Sequence, residues 1–115
     1  MPSNNSKSID KSGIDIVLRK DNAMACVHGR FDIDSSPVIR GRLLTLFEGP
    51  HPKIVSIDLS AVTHIDSSGV ATLIEALKIA RAHGTELRLE SLHDRLRRLF
   101  EFIGVLPLFI GSKRG

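Results

Sequence analysis

A short apolar run at residues 54–59 (IVSIDL) is followed by the clearest helical pattern in the chain, and this order of elements limits the possible folds. Apolar side chains recur at helical spacing through residues 67–83, and Gly84 is placed to end that helix. Residues 86–90 (ELRLE) then alternate like a short strand. A helix between two strands forces a crossover connection, which predicts parallel strands. The run at 54–59 is apolar enough to be covered on both faces.

The segment before this unit predicts a hairpin. Residues 14–18 alternate apolar and polar side chains, and residues 23–28 form a second strand after a turn at 21–22. Residues 29–34 are then predicted to be a connector.

Further helices are indicated on both sides of the central unit. Ser36, a hydroxyl cap followed by a proline, predicts a helix start, and the Gly-Pro pair at 49–50 ends that helix. Residues 91–94 resemble a capping box before a third helix, whose apolar face includes Leu99 and Ile103. Residues 106–110 are predicted to add a last strand.

These elements predict an α/β fold in one domain, with a mixed four- or five-stranded sheet flanked by three main helices. A chain of 115 residues has the length of one domain. Residues 1–12 are rich in Ser, Asn and Lys and are predicted to be a disordered leader. The domain is expected over residues 13–111, and residues 112–115 are expected to be a flexible tail.

Composition argues against several classes of function. No run approaches the ~20 apolar residues of a membrane helix, and the polar start does not resemble a secretory signal, so we expect a cytoplasmic protein with no direct membrane insertion. A net charge of +3, with five Phe and no Tyr or Trp, does not favour nucleic-acid binding. The single cysteine excludes an internal disulfide, and the histidines lack metal-ligand spacing. We expect no cofactor and no metal.

The segment that could carry function is residues 63–69, between the central strand and its helix. In open α/β sheets, functional groups collect where a strand ends and the next helix points its N-terminus outward. Asp66, Ser67 and Ser68 face the unpaired N–H groups of this helix start, where a phosphate on Ser67 would be accommodated. A phosphate beside Asp66 would change a docking surface more than the fold. Gly69 in the first turn indicates close approach of another group.

Other interpretations of these residues remain open from the local sequence. Asp66 and the serines would also serve simply to cap the helix. Asp32 would be either a solvated loop carboxylate or a partner contact. His64, Asp66 and Ser67 include the residue types of a hydrolase triad, but neighbours on one loop do not ordinarily line up as nucleophile, base and orienter. We therefore predict that the chain is not an enzyme.

The most specific stretch is IDLSAVTHIDSSGVATLIEALKIARAHG, which begins at Ile57. With Val-His-Gly-Arg-Phe-Asp at Val27 and Leu-Arg-Arg-Leu-Phe at Leu96, it resembles the STAS domain family of sulfate transporters and anti-sigma factor antagonists. The resemblance runs from residue 14 to residue 109.

In the antagonist branch of that family, a kinase-like anti-sigma factor phosphorylates the serine that corresponds to Ser67. The resemblance implies that the unphosphorylated chain binds this anti-sigma factor serine kinase and frees the sigma factor, and that a phosphatase later resets the phosphorylated form. It also implies partner contacts at Asp32, Asp66, Ser68 and Gly69.

A second branch is the alternative. Ala71 stands where sporulation-type antagonists have a second glycine, and the chain leaves no room for the final helix of many antagonists. Both features resemble the small STAS subunit of lipid-asymmetry ABC transporters, which binds the ATPase subunit. The intact Asp-Ser-Ser-Gly sequence favours the antagonist.

Overall fold

The computed structural model describes residues 12–48 and 50–109. The predicted tail, Gly49 and all of the predicted leader except Ser12 lie outside these residues. The Ser12 hydroxyl oxygen accepts a hydrogen bond from the backbone N–H of Arg30 (2.9 Å). None of the helices in the described part of the chain is long and apolar enough to cross a bilayer.

Four strands form one mixed sheet, as predicted. They are β1 (Gly13–Arg19), β2 (Asn22–Phe31), β3 (Ile54–Ile65) and β4 (Glu86–Ser91), and they lie side by side in this order. β1 pairs antiparallel with β2, whereas β2 with β3 and β3 with β4 are parallel. The predicted hairpin is confirmed, because Arg19 and Asn22 pair across the turn between β1 and β2.

Three helices of ten residues or more connect and follow these strands: α1 (Ser36–Thr45), α2 (Ser67–Ala82) and α3 (Asp94–Ile103). Their buried apolar side chains belong to one core cluster, which also holds the inward residues of the sheet. The largest fully buried members are Phe31, Phe100, Phe109, Ile39, Leu43 and Ile57. The prediction of three main helices is therefore confirmed.

Only one face of the sheet carries this core. In β3, Val55, Ile57 and Leu59 are buried, whereas Ser56 and Asp58 between them are half-buried. The prediction that residues 54–59 are covered on both faces is therefore wrong. The run is an alternating strand of one inward and one outward face, which is typical of a sheet with one open side.

Two strands are longer than their patterns predict. β2 continues through Gly29 to Phe31, so the predicted connector 29–34 begins three residues too early. Gly29 has φ +77°, and the pairing register with β3 shifts beside it, which breaks the alternation that marks a strand. β3 continues from Leu59 to Ile65 and ends directly at Asp66.

Two predicted caps are also wrong. Ser36 is the buried first residue of α1 and not its cap, and the capping position is held by Ser35 without a side-chain cap. α3 is capped by His93, whose Nδ1 accepts from the Leu96 N–H (3.4 Å). The other ring nitrogen of His93 bonds the Val62 carbonyl oxygen (2.9 Å), so this cap also ties α3 to β3.

The predicted last strand is helical instead over residues 106–109, and Ile110 lies outside the described residues. Leu106 and Phe109 are buried while Leu108 is exposed, which is a spacing of three and not of two. The Leu108 N–H donates to the Val105 carbonyl (3.0 Å), and Arg81 of α2 bonds the Leu108 carbonyl (3.0 Å).

The two phenylalanines of α3 provide a direct test of this packing. Phe100 is fully buried and Phe102 is 88% exposed. We expect Phe100→Ala to lower the free energy of unfolding by about 3–5 kcal/mol, because it removes a large side chain from a close-packed core. The matched control Phe102→Ala should change it by less than about 0.5 kcal/mol. Urea denaturation followed by circular dichroism measures both, and equal effects would contradict the orientation of α3.

Candidate functional site

Asp66 is the single residue between β3 and α2, and its carboxylate caps the helix. One oxygen, Oδ1, accepts from the backbone N–H groups of Ser68 (2.8 Å) and Gly69 (3.2 Å). The other, Oδ2, accepts from the N–H of Ile33 in the loop after β2 (3.2 Å). The Asp66 N–H in turn donates to the Phe31 carbonyl (3.3 Å). The capping role considered from the sequence is thus present, and it also joins two loops.

Gly69 is required by the close approach of that loop. A Cβ atom at this position would lie 2.5 Å from the Phe31 carbonyl oxygen and 2.7 Å from Cγ1 of Ile65. No side chain fits there without displacing backbone. The sequence-based inference that another group approaches Gly69 closely is confirmed, and that group is the end of β2.

Ser67 is the first residue of α2 and is exposed. Its side chain makes no hydrogen bond to any described residue, so the hydroxyl is accessible. Ser68 is half-buried, and its carbonyl oxygen accepts from the Thr72 hydroxyl (2.9 Å). The structure therefore separates the two serines, with Ser67 facing solvent and Ser68 held by the helix.

Asp32 is not a solvated carboxylate, because the residue is only 7% exposed. Its Oδ1 accepts from the N–H groups of Asp34 and Ser35 (both 3.1 Å), and its Oδ2 accepts from Nε of Arg30 (3.0 Å). The Ser35 N–H and then the Arg30 guanidinium hold the pKa of the Asp32 carboxyl below its usual value, although burial opposes them. Asp32 thus fixes the loop that presents Ile33.

An apolar groove of about 400 Å³ beside Ser67 was not anticipated as a site. It runs between α2 and α3, and its walls are Ile65, Asp66, Ser67, Val70, Ala71, Ile74, Leu99 and Ile103. The sequence pattern assigned Val70, Ile74, Leu99 and Ile103 to buried faces. These side chains lie at the edge of the core, and helical periodicity alone does not distinguish an edge from a centre.

The residues of the candidate hydrolase triad do not form a relay. The Asp66 carboxylate is used by three backbone N–H groups, and the exposed His64 side chain makes no hydrogen bond within residues 12–48 and 50–109. The same residues contain no cluster of three His, Cys, Asp or Glu side chains that would hold a metal ion.

The fold and this site define a small α/β domain with an accessible serine at a helix start, next to an apolar groove. The STAS domain family matches residues 13–114, and the chain belongs to this family. The family prediction is confirmed.

Individual relatives and solved structures agree with this family assignment. The chain is 30% identical over 92 residues to the anti-sigma-B factor antagonist of Bacillus subtilis (strain 168), which covers 80% of this chain and 83% of that protein. It is 34% identical over 79 residues to the antagonist of the same name from Listeria monocytogenes serovar 1/2a (strain ATCC BAA-679 / EGD-e), covering 69% and 68%. SpoIIAA of Bacillus in its phosphorylated form has the same fold, with a TM-score of 0.68, 18% identity, and 83% and 86% of the two chains covered. These relatives favour the antagonist prediction over the transporter-subunit alternative.

Substitution of Gly69 tests the contact between the two loops. We expect Gly69→Ala to destabilise the fold by about 1–3 kcal/mol, because the added methyl group overlaps backbone that cannot move freely. Gly41→Ala in α1 is the matched control, since nothing lies within 4 Å of its added Cβ, and it should be neutral or stabilising by up to about 1 kcal/mol. Thermal or urea unfolding of both variants is the measurement, and a neutral Gly69→Ala would contradict the close approach.

The ionisation of Asp32 predicts a dependence of stability on pH. Because its pKa is lowered in the folded state, the stabilisation is present above the unfolded-state value of about 4 and is lost as pH falls through the folded-state value. The stability advantage of the unmodified protein over Asp32→Asn should therefore shrink between pH 7 and about pH 3. Asp34→Asn is the control, because the exposed Asp34 carboxylate makes no hydrogen bond among the described residues. A constant gap for Asp32→Asn would contradict this account.

Proposed function

We propose that this chain binds a kinase-like anti-sigma factor through the surface around Ser67, and that phosphorylation of Ser67 by that partner ends the binding. The observation that carries the proposal is the position of Ser67, which is exposed at the start of α2 with a free hydroxyl beside an apolar groove. Similarity to the Bacillus and Listeria anti-sigma-B factor antagonists supports it.

The proposed docking surface consists of the groove and the neighbouring loop after β2. Ile33, in that loop, is 68% exposed, and its N–H donates to the Asp66 carboxylate in the wall of the groove. Exposed apolar side chains that adjoin a groove are typical of protein interaction sites. Asp32 contributes to this surface by fixing the loop, since its own carboxylate is occupied by Arg30 and by backbone N–H groups.

Asp66, Ser68 and Gly69 take part in the proposed interface as the first turn under the modified serine. The partner would contact this turn directly, because Gly69 allows the loop and the helix start to form one continuous surface. The Asp66 carboxylate already carries a negative charge. Phosphorylation of Ser67 would place a second negative group beside it.

Phosphorylation at Ser67 would act through charge. A phosphoserine carries about −1.5 to −2 charges at neutral pH, and the positive end of the helix dipole compensates part of that charge in the free protein. At an interface, the charge would be desolvated next to Asp66, and the helix dipole would offset only part of that cost. The proposed effect is weaker partner binding with little change in the fold.

The remaining parts of the proposal concern the cycle and its setting. A phosphatase would remove the phosphate and restore binding, and the existence of a phosphorylated form of SpoIIAA, which shares the fold, supports a reversible cycle. The chain would be the substrate of the kinase and phosphatase and would itself catalyse no reaction. The cytoplasm, where sigma factors act, would be its compartment.

The test is the affinity of Ser67 variants for a kinase-like anti-sigma factor from the same organism. Ser67→Ala should bind constitutively, because it cannot be phosphorylated. Ser67→Asp should bind at least about a hundredfold more weakly, since an uncompensated charge buried at an interface costs several kcal/mol. Isothermal titration calorimetry with the purified partner measures both affinities.

The matched control is Ser60→Asp, which adds the same charge at an exposed position of β3 outside the groove and should bind like the unmodified protein. Incubation with the partner and ATP, followed by mass spectrometry, should place phosphate on Ser67 and leave Ser67→Ala unmodified. Equal affinities of Ser67→Ala and Ser67→Asp would overturn the proposed switch.

A further inference from the structure

A second cavity lies next to the groove and is lined by two histidines and one arginine. It has a volume of about 200 Å³, and its lining includes His64, His93 and Arg95. Ile65 and Leu99 line both this cavity and the groove that holds Ser67. Arg95 and Ser67 therefore line neighbouring depressions that share a ridge formed by Ile65 and Leu99.

The topology explains why Arg95 and Ser67 are close. β3 and β4 are neighbouring parallel strands, so the helices that follow them begin at the same edge of the sheet. Ser67 is the first residue of α2, and Arg95 is the second residue of α3. β3 continues from Asp58, which pairs with the last residue of β4, to Ile65, so α2 begins farther along the sheet than β4 ends. The bond from His93 to the Val62 carbonyl brings the start of α3 along β3 toward the start of α2.

Several arginines of the described chain are already held by a carboxylate, whereas Arg95, like Arg97 and Arg98 of the same helix, has no acidic partner among the described residues. Arg30, on the opposite side of Ser67, is held by Asp32 (3.0 Å), and Arg40 and Arg88 are paired with Glu75 and Glu86. The Arg95 side chain is exposed and forms no ion pair or hydrogen bond with residues in the described part of the chain. Its guanidinium is available to an anion that is added later.

We propose that Arg95 pairs with the phosphate on Ser67 within the same molecule, so that the phosphorylated side chain lies over the ridge of Ile65 and Leu99. This inference rests on the proposed phosphorylation of Ser67. A guanidinium binds phosphate oxygens through two parallel N–H donors, which an ammonium group does not match. Asp66, in the wall of the groove, opposes the phosphate by charge.

The pairing would have two consequences for the switch. The phosphate would be directed across the mouth of the apolar groove, so it would block docking by position as well as by charge. Arg95 would also neutralise part of the repulsion between the phosphate and Asp66, which would preserve the first turn of α2. Arg95 is thus a positioning residue for the phosphorylated state and has no role in the unmodified state.

The experiment uses the full chain with phosphoserine incorporated genetically at position 67, which does not depend on any kinase. The pKa of the phosphate, ordinarily about 6, is measured by ³¹P NMR titration. Pairing with Arg95 favours the dianion, so Arg95→Gln should raise this pKa by about 0.5. Arg95→Lys should give an intermediate value, because it keeps the charge and loses the paired donors.

Arg97→Gln is the matched control. It removes an exposed arginine from the same helix, two residues away and on the opposite face, and should leave the phosphate pKa unchanged. Thermal unfolding of all variants reports whether the fold is kept. Identical titrations of Arg95→Gln and the unsubstituted phosphoprotein would overturn the role of Arg95. Unchanged partner affinity of the phosphoprotein would instead overturn the proposed function, so the two failures are distinct.

Discussion

The carboxylate of Asp66 is the interaction on which the site depends. Its two oxygens accept three backbone N–H groups, two from the first turn of α2 and one from the loop after β2. This arrangement fixes the helix start against a loop 33 residues earlier in the chain. Gly69 permits the contact, because any larger residue would overlap the end of β2. Ser67 lies between Asp66 and Gly69, and its hydroxyl makes no hydrogen bond to a described residue.

A rigid platform of this kind suits a switch that works by charge. The loop is held from its other side by Asp32, and α3 is held at its start by the His93 bridge to β3. The groove between α2 and α3 is therefore bounded by elements that are each tied to the sheet. A group added to Ser67 would change the electrostatic character of a preformed surface, and no rearrangement of the fold is needed for that change.

The sequence predicted which helices and strands are present better than it predicted the residues at which they begin and end. The helix of α2 and the hairpin follow from regular periodicity, and Gly69 indicated the close contact correctly. The bulge at Gly29, the cap of α3 and the helical residues 106–109 were missed, because each depends on contacts with residues distant in the chain. The cap of α1 was missed because Ser35, and not Ser36, ends the loop that Asp32 fixes. The groove was missed because half-buried and fully buried apolar residues recur at the same helical spacing in the sequence.

The most direct measurement of the central claim compares the unmodified protein with the protein that carries phosphoserine at position 67. Amide spectra of the two forms should differ only near the starts of α2 and α3 and in the loop after β2. The phosphorylated form should bind the anti-sigma factor at least about a hundredfold more weakly than the unmodified form. Equal affinities, or spectral changes spread throughout the core, would contradict a charge switch on a fixed platform.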